Sequence, residues 1–239
     1  MLNSINEEIV HINGQPQQLI IFLHGYIDNA DYLNKTLQNF VGHFDNTAVH
    51  LPQAPISCEI LEDKRQWYSM HRFDPNDDRK TVATMDECIA IYDKMALGLE
   101  ESRTYLDEYI DNCLNEYQLQ DKDLYLCGFS QGAMMAIYTA LMRENKIAGC
   151  VSFSGIMASH NFLLRHYRNT PDMLLIHGNS DNLVRFEALD FTKNNLLKMG
   201  CKVQTHVVEG GQHRISDDGL ICARDFILNS KPSKRKIAI

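Results

Sequence analysis

The stretch Gly128-Phe129-Ser130-Gln131-Gly132 decides the fold of this chain. Gly-x-Ser-x-Gly holds a serine at the tip of a tight strand-to-helix turn, where a side chain on either flanking glycine would clash. Residues 123–127 form an apolar run typical of a buried strand, and residues 133–142 one typical of a buried helix. The motif therefore has its required context, and the serine hydroxyl is expected to lie clear of the sheet beside a helix N-terminus.

Apolar runs alternate with helical patterns on both sides of this turn. Because such alternation is the signature of βαβ units, the sequence predicts an α/β fold with a mostly parallel central sheet flanked by helices on both faces. The predicted helix 84–116 is expected to break or bend near Gly98. The predicted strands are 18–23, 47–51, 123–127, 148–153, 173–177 and 202–208, and the other predicted helices are 30–41, 131–144, 185–199 and 217–228.

The length fits one large domain, which we predict at residues 18–229, after an N-terminal extension at residues 1–17. Residues 52–83 are predicted to form a substrate-side insertion, since a stretch this long within a compact domain is either functional or disordered. Residues 230–239 are basic and are predicted to form a flexible, solvated tail in preference to a contact with an anionic surface.

The net charge of −8 argues against nucleic acid as a partner, since such proteins need a basic face. Apolar runs such as residues 19–23 are too short to cross a bilayer, and residues 1–17 lack the layout of a signal peptide. The seven cysteines are scattered without any C-x-x-C pair. We therefore expect free cysteines in a reducing, cytoplasmic compartment, no metal site and no cofactor.

A serine nucleophile needs an acid and a base, which on this fold follow it in the order Asp or Glu, then His. Asp181 lies just beyond the predicted strand 173–177, at the carboxyl end where catalytic groups collect. The alternative is that Asp181 only caps the helix predicted to begin near Arg185. Asp172 is the weaker candidate, because it precedes the strand and would lie at the wrong end of the sheet.

His213 is the predicted base. It lies in a glycine-rich loop between the last strand and the last helix, and such a loop can carry an imidazole over the sheet edge towards Ser130. His160 and His166 precede the acid and are out of order. His177 and His206 lie in predicted strands, where packing or hydrogen bonding accounts for them.

Two backbone N–H groups are predicted to form an oxyanion hole. One belongs to Gln131, the residue after the nucleophile. The other is expected in the loop after strand 18–23, with Tyr26 as the first candidate and Gly25 as the alternative. His24 precedes the serine, so it is expected to brace this loop by hydrogen bonding and not to act as the base.

These blocks together resemble the carboxylesterase family of the α/β-hydrolase superfamily that includes acyl-protein thioesterases and lysophospholipases. The resemblance covers residues 18–228. It implies a catalytic triad of Ser130, Asp181 and His213, an oxyanion hole formed by Tyr26 and Gln131, and no cofactor. The blocks that carry it are Ile21-Phe22-Leu23-His24-Gly25, Leu51-Pro52-Gln53-Ala54-Pro55, Arg65-Gln66-Trp67-Tyr68, Gly128-Phe129-Ser130-Gln131-Gly132, His177-Gly178-Asn179-Ser180-Asp181 and Gly210-Gly211-Gln212-His213.

The same resemblance implies that Trp67 and its neighbours lie near the acyl-binding groove, and His24 is assigned to the same pocket. For Trp67, a core or interface aromatic is the alternative. The chain also departs from the family pattern. Ile27 replaces a usual glycine, which predicts a stiffer or shifted oxyanion loop, and residues 59–80 are rich in charge, which argues against a purely apolar lid.

The sequence thus predicts a serine hydrolase that cleaves carboxylic esters or thioesters through an acyl-enzyme intermediate. Short- or medium-chain esters, lysophospholipids and acylated proteins stay open as substrates, and a homodimer is possible for an enzyme of this shape. Two alternatives remain. One is a catalytically silent scaffold used for binding, and the other is an enzyme similar to dienelactone hydrolases, although that group usually carries Cys where this chain has Ser130.

Overall fold

A seven-stranded sheet forms the centre of the computed structural model, which describes residues 8–230. Its strands are β1 (Glu8–Asn13), β2 (Gln18–Leu23), β3 (Thr47–Pro52), β6 (Leu124–Phe129), β7 (Gly149–Phe153), β8 (Met173–Gly178) and β9 (Val203–Val208). The spatial order is β1-β3-β2-β6-β7-β8-β9, and only β1 runs antiparallel to its neighbour. A separate two-stranded hairpin consists of β4 (Ile56–Ser57) and β5 (Arg65–Gln66).

Helices cover both faces of the sheet, which confirms the predicted α/β architecture. They are α1 (Ala30–Val41), α2 (Met70–Phe73), α3 (Met85–Asp93), α4 (Ala96–Tyr117), α5 (Gln131–Met142), α6 (His160–His166), α7 (Glu187–Met199) and α8 (Asp217–Asn229), with 3-10 turns at Asp78–Lys80 and Asp121–Asp123. A hydrophobic core lies on each face of the sheet, because successive side chains of β2 point to opposite faces. Ile20 and Phe22 pack with α1 and α8, whereas Leu19 and Ile21 pack with α4, α5 and α7. Among residues 8–230, no helix has the length and apolar character needed to span a bilayer.

The helix predicted over residues 84–116 is two helices, and the break lies at Lys94 and Met95, not at Gly98. The Tyr92 carbonyl at the break accepts N–H groups from the turn and from Ser159. Gly98 serves close packing, because a Cβ there would overlap the ring of Phe73. The sequence shows a glycine in a helical pattern but not which segment packs against it.

Strand β1 lies within the region predicted as an N-terminal extension. It pairs with β3 over its whole length, from Glu8 opposite Pro52 to Asn13 opposite Thr47. Helix α6, helix α2 and the β4–β5 hairpin are three further elements that the hydrophobic pattern did not predict. The predicted basic tail lies outside the described residues except for Ser230.

The turn at Ser130 has the geometry that the motif predicts. Ser130 has φ 54° and ψ −116°, and its N–H donates to the Phe153 carbonyl of β7 over 2.9 Å. A Cβ on Gly128 would overlap the backbone of Gly132, and a Cβ on Gly132 would overlap the Leu23 carbonyl at the end of β2. The first turn of α5 therefore lies directly against the sheet backbone.

We expect Gly132→Ala to destabilise the protein by at least about 3 kcal/mol, because the added methyl meets immobile backbone and not a flexible side chain. Gly42→Ala is the matched control. Gly42 has φ −70°, and a Cβ at this position would lie 4.0 Å from the nearest atom, the Asn39 carbonyl oxygen. Alanine should therefore raise the free energy of unfolding by about 0.4–1 kcal/mol. Urea unfolding measures both, and a Gly132→Ala chain as stable as the wild type would contradict the close approach.

Candidate active site

Ser130, His213 and Asp181 form a continuous hydrogen-bonded chain. The Ser130 Oγ lies 2.9 Å from His213 Nε2, and His213 Nδ1 lies 2.7 Å from Asp181 Oδ2. Because an ionised carboxylate can only accept, Nδ1 carries the imidazole proton and donates it to Asp181. Nε2 is then free to accept the serine proton, which is the arrangement that a general base needs.

Asp181 does not cap helix α7, whose N-cap is Phe186 without a side-chain hydrogen bond, but its other oxygen caps the turn that precedes this helix. Oδ1 accepts the N–H groups of Leu183 and Val184 at 2.9 and 3.0 Å, while Oδ2 faces His213. Burial alone would raise the pKa of Asp181. Hydrogen bonds from His177 and His213 and from the Leu183 backbone outweigh burial, so the pKa lies well below its ordinary value. One carboxylate thus organises the loop and stays ionised.

The loops that carry Asp181 and His213 are tied together by backbone and side-chain hydrogen bonds. Ser180 N–H donates to the Gly211 carbonyl over 2.9 Å, and the Asn179 side chain accepts Gly210 N–H at 2.7 Å. The His213 ring lies against Phe129, with ring centroids 4.8 Å apart. The distance between acid and base is therefore set by loop-to-loop contacts and not by His213 alone.

The two predicted oxyanion donors lie beside this chain. Gln131 is the first residue of α5, where the N–H has no intrahelical acceptor. Within residues 8–230, neither the Gln131 nor the Tyr26 N–H is engaged with another acceptor. Burial raises the pKa of the neighbouring Asp28 carboxyl to about 6, against the lowering effect of the Asn29 N–H, the Lys64 charge and the Gly25 N–H. Tyr26 lines the cleft above Ser130, and Gly25 stays the alternative donor.

Ile27 holds the oxyanion loop in a conformation that suits glycine. Its φ is 57°, in the left-handed region, which a β-branched residue rarely occupies. Such a conformation costs of order 1–3 kcal/mol and persists where its surroundings fix it. Here Asp28 is bridged to Arg65 through an N–H···O bond of 2.9 Å, and the Asn29 side chain caps α1. Ile27 therefore occupies a backbone conformation that favours glycine and carries strain there.

The assignment of His24 and Trp67 to the substrate pocket is wrong, because both side chains are fully buried. His24 Nδ1–H donates to the Gly25 carbonyl over 2.8 Å, and Nε2 accepts the Ala54 N–H at 3.1 Å, which is the predicted bracing role. The Trp67 indole N–H donates to the His24 carbonyl over 2.9 Å. Trp67 is thus the core aromatic of the alternative interpretation, and it supports the oxyanion loop from below.

The Gln131 side chain has a bracing role that sequence reasoning missed. Its Oε1 accepts the Trp67 N–H at 2.9 Å, and its Nε2 donates to the Tyr68 carbonyl at 2.8 Å. The amide therefore fastens the insertion to the residue that follows the nucleophile. A buried amide has donors and an acceptor to satisfy, so a buried Gln inside the motif was the signal that could have indicated this contact.

A cleft of about 200 Å³ opens above Ser130 and His213. Its walls are mostly apolar, and residues on its rim such as Ile60 and Leu183 expose 62% and 46% of their surface. Tyr26 and Gln131 were predicted as oxyanion donors and residues 52–83 as a substrate-side insertion, but the individual apolar wall residues were not predicted, because they come from several separate segments. The further lining residues are Tyr26, Ile27, Met70, Asp77, Arg79, Lys80, Tyr92, Phe129, Gln131, Met134 and Val184.

The charges that the insertion brings to the cleft neutralise one another. The buried Arg79 guanidinium lies 2.5 Å from both the Asp74 and Asp77 carboxylates, and Lys80 lies 2.8 Å from Asp77. The other charges of the insertion lie mostly at the exposed tip of the hairpin. The cleft is therefore mostly apolar, and the charged residues at one of its edges form ion pairs with one another.

A mostly parallel sheet with a serine at a strand-to-helix turn, followed in sequence by Asp and His on neighbouring loops, defines the α/β-hydrolase fold class. The sequence model of the phospholipase/carboxylesterase family matches residues 5–230, so the chain belongs to that family. The crystal structure of esterase PE8 aligns with a TM-score of 0.81 at 25% identity, covering 96% of this chain and 99% of that chain.

Curated relatives have a similar identity to this chain. A probable carboxylesterase of Oryza sativa subsp. japonica is 25% identical over 92% of this chain and 80% of its own length. Acyl-protein thioesterase 1 homolog 1 of Dictyostelium discoideum is 25% identical over 56% of this chain, and the match spans 60% of that relative. Together with the family match, these similarities support a hydrolase of the esterase and thioesterase kind.

The buried His24 predicts a loss of stability in acid. Burial lowers the pKa of His24 from 6.5 to about 4, against the opposing effect of the Gly25 hydrogen bond. The unfolded chain then binds more protons between these values, so the contribution of His24 is complete above pH 6.5 and is lost as the pH falls through 4. The full effect is up to about 3 kcal/mol.

We expect the difference in unfolding free energy between the wild type and His24→Gln to shrink as the pH falls from 7 to 4, because other titrating groups cancel in the comparison. Urea unfolding of both proteins across this range measures the difference. A difference that stays constant with pH would show that His24 does not titrate in this window.

Proposed function

We propose that the protein is a serine hydrolase that cleaves carboxylic esters or thioesters through an acyl-enzyme intermediate. The observation that carries this proposal is the hydrogen-bonded chain from Ser130 through His213 to Asp181 at the floor of an apolar cleft. A serine hydroxyl is a weak nucleophile at neutral pH, and this chain supplies both the base and the group that orients it.

In the proposed first half-reaction, Ser130 Oγ attacks the acyl carbon while His213 Nε2 takes the serine proton. The carbonyl oxygen becomes negative and accepts hydrogen bonds from the Gln131 and Tyr26 N–H groups. His213 then gives its proton to the departing alcohol or thiol, and the acyl group stays on Ser130. In the second half-reaction, His213 deprotonates water, which attacks the acyl-enzyme and releases the carboxylic acid.

Asp181 is proposed to hold His213 in the productive tautomer and to stabilise the imidazolium. This role requires an ionised carboxylate, and the strongly lowered pKa of Asp181 supplies one throughout the neutral range. The capping bonds to Leu183 and Val184 fix the direction of the carboxylate, so its second oxygen does not rotate away from His213.

The cleft supports an acyl chain as the substrate group that the enzyme recognises. Its enclosed volume of about 200 Å³ lies below the 300–1,000 Å³ typical of pockets that bury a drug-sized ligand. A short acyl group can be enclosed there, whereas a longer chain has to extend over the exposed Ile60 and Leu183. The names of the thioesterase and carboxylesterase relatives agree with acylated proteins or lipid-like esters as substrates.

We expect Ser130→Ala to lower kcat for a short-chain nitrophenyl ester by about 10³–10⁶-fold, because no other group can form the acyl-enzyme. Asp181→Asn should lower kcat by up to about 10⁴-fold, since an amide favours the wrong imidazole tautomer. A fluorophosphonate probe followed by peptide mapping should label Ser130 in the wild type.

These variants also separate the enzyme from a silent scaffold. A wild-type chain that neither hydrolyses esters nor accepts the probe would favour the binding scaffold, and full activity in Ser130→Ala would exclude the proposed nucleophile. Ser102→Ala is unsuitable as the control serine, because its hydroxyl donates to the Trp67 carbonyl under the site. Ser57, on the exposed β4 strand, provides the control, and Ser57→Ala should keep both activity and labelling.

Ile27 is expected to limit the size of the acyl group, since it lines the cleft beside Tyr26. Ile27→Ala trims the side chain but keeps the unfavourable φ, whereas Ile27→Gly also relieves the strain. Both should raise kcat/KM for long-chain relative to short-chain nitrophenyl esters. Only Ile27→Gly should also lower kcat for every ester, because it loosens the Tyr26 donor. An unchanged chain-length profile in both variants would contradict a role for Ile27 in the pocket.

A further inference from the structure

Four potential metal ligands converge on one edge of the sheet, away from the cleft. Glu8 of β1, His50 of β3 and Cys113 of α4 bring one ligand atom each within 4.8 Å of one another. The Tyr109 hydroxyl of α4 joins them, 2.7 Å from His50 Nδ1 and in contact with the Glu8 carboxylate. His50 and Cys113 are almost completely buried, at 2% and 4% exposure.

The fold explains why these side chains meet. In the β1–β3 register, His50 faces Val10 and Pro52 faces Glu8, so Glu8 and His50 project from the same face of the sheet as diagonal neighbours. Tyr109 and Cys113 are four residues apart on α4 and therefore lie on one side of the helix. The spacing of residues in the sequence does not indicate this cluster, because its members come from three separate elements.

Hydrogen bonding alone does not account for the surroundings of His50 Nδ1. Glu8 Oε2 lies 2.9 Å from this nitrogen, the Tyr109 hydroxyl 2.7 Å and Cys113 Sγ 3.5 Å. A ring nitrogen has either one proton or one lone pair in the ring plane, so it can serve one of these three groups well. A cation at the centre of the cluster would use one lone pair from each group.

We propose that Glu8, His50 and Cys113 bind a Zn²⁺ ion, with the Tyr109 hydroxyl at the fourth position. Carboxylate, imidazole and thiolate are ligands that Zn²⁺ accepts, and bond lengths of roughly 2.0–2.3 Å in a tetrahedron separate ligand atoms by roughly 3.3–3.8 Å. The distance from His50 Nδ1 to Cys113 Sγ, 3.5 Å, lies in this range, whereas Glu8 Oε2 at 2.9 Å and the Tyr109 hydroxyl at 2.7 Å have to move outward when the ion binds. Glu8 lies on an edge strand with its side chain 36% exposed, so it can make this adjustment.

The neighbouring groups suit this role. The Tyr117 hydroxyl lies 2.9 Å from His50 Nε2, so a proton on Nε2 can be donated to it and the Nδ1 lone pair is directed into the cluster. Zinc binds a neutral imidazole and a thiolate, so zinc binding releases the Cys113 proton to solvent as the thiolate–zinc bond forms.

The ion would join β1 and β3 to α4 through bonds stronger than the hydrogen bonds they replace. None of these residues lines the cleft above Ser130. The site is accordingly structural: zinc should raise the thermal stability of the protein without changing ester hydrolysis, and this consequence does not depend on the proposed hydrolase mechanism.

The test uses the purified full-length protein, reduced, stripped with EDTA and then titrated with Zn²⁺ against a chromophoric competitor. We expect one tightly held zinc per chain and a higher melting temperature on zinc addition. His50→Gln and Cys113→Ser should lose this site, and Tyr117→Phe should weaken it by about 10–100-fold by removing the group that orients His50. Cys222→Ser, at a half-buried cysteine of α8, is the control and should bind zinc like the wild type.

Cobalt substitution adds a spectroscopic measurement on the wild-type protein, which does not depend on whether the variants fold. Co²⁺ in the wild type should give a thiolate-to-metal charge-transfer band, which Cys222→Ser keeps and Cys113→Ser loses. Wild-type protein that binds no zinc and shows no such band would overturn the proposal and leave a hydrogen-bonded polar cluster. Zinc binding that is equal in the wild type, His50→Gln and Cys113→Ser would overturn it as well, since the ion would then lie elsewhere.

Discussion

The close approach between the first turn of α5 and the end of β2 is the constraint on which the rest of the structure depends. It requires glycine at position 132, because any side chain there would enter the Leu23 carbonyl. The same contact brings the loop after β2 next to the N-terminus of α5. The two N–H groups proposed to stabilise an oxyanion, on Tyr26 and Gln131, are neighbours for this reason alone. A backbone contact between two elements far apart in sequence thus creates both the exposed serine and the site that would receive the charge.

The surroundings of this contact are fixed by polar groups that never meet the substrate. The Gln131 amide bridges to the backbone of Trp67 and Tyr68, and the Trp67 indole bonds the His24 carbonyl. Every one of these groups is buried, so an unmade bond here would cost about 1–3 kcal/mol. The insertion that carries the cleft walls is therefore fastened to the oxyanion loop and to α5 at the same place. This arrangement explains how Ile27 can keep a φ of 57° without any glycine to relieve it.

The sequence predicted the features that depend on local pattern or on chain order. The strand-turn-helix at Ser130 and the alternation of strands and helices are local. Asp181 and His213 follow from order and loop position, and the structure brings them together with Ser130, although their chemical roles stay proposals. What could not be predicted depends on which segments meet in space. Trp67 was placed near the groove by the family resemblance, yet it is buried among α4, α5 and the His24 loop. Strand β1 was missed because its pairing with β3 outweighs the polar residues at its start.

The expectation that the lid is not purely apolar agrees with the lining of the cleft, which includes Asp77, Arg79 and Lys80. A charge affects a substrate only through the field that its partners leave uncompensated. Arg79 lies between two carboxylates and Lys80 pairs with one of them, so the four charges sum to zero within a few ångströms. The field at the cleft then falls off steeply, and apolar contact with Met70, Met134 and Val184 is left as the main source of affinity. If the substrate carries an acyl chain, as proposed, such contacts bind it in proportion to the area it buries, so the size of the enclosed cleft and not the charge of the insertion should govern specificity.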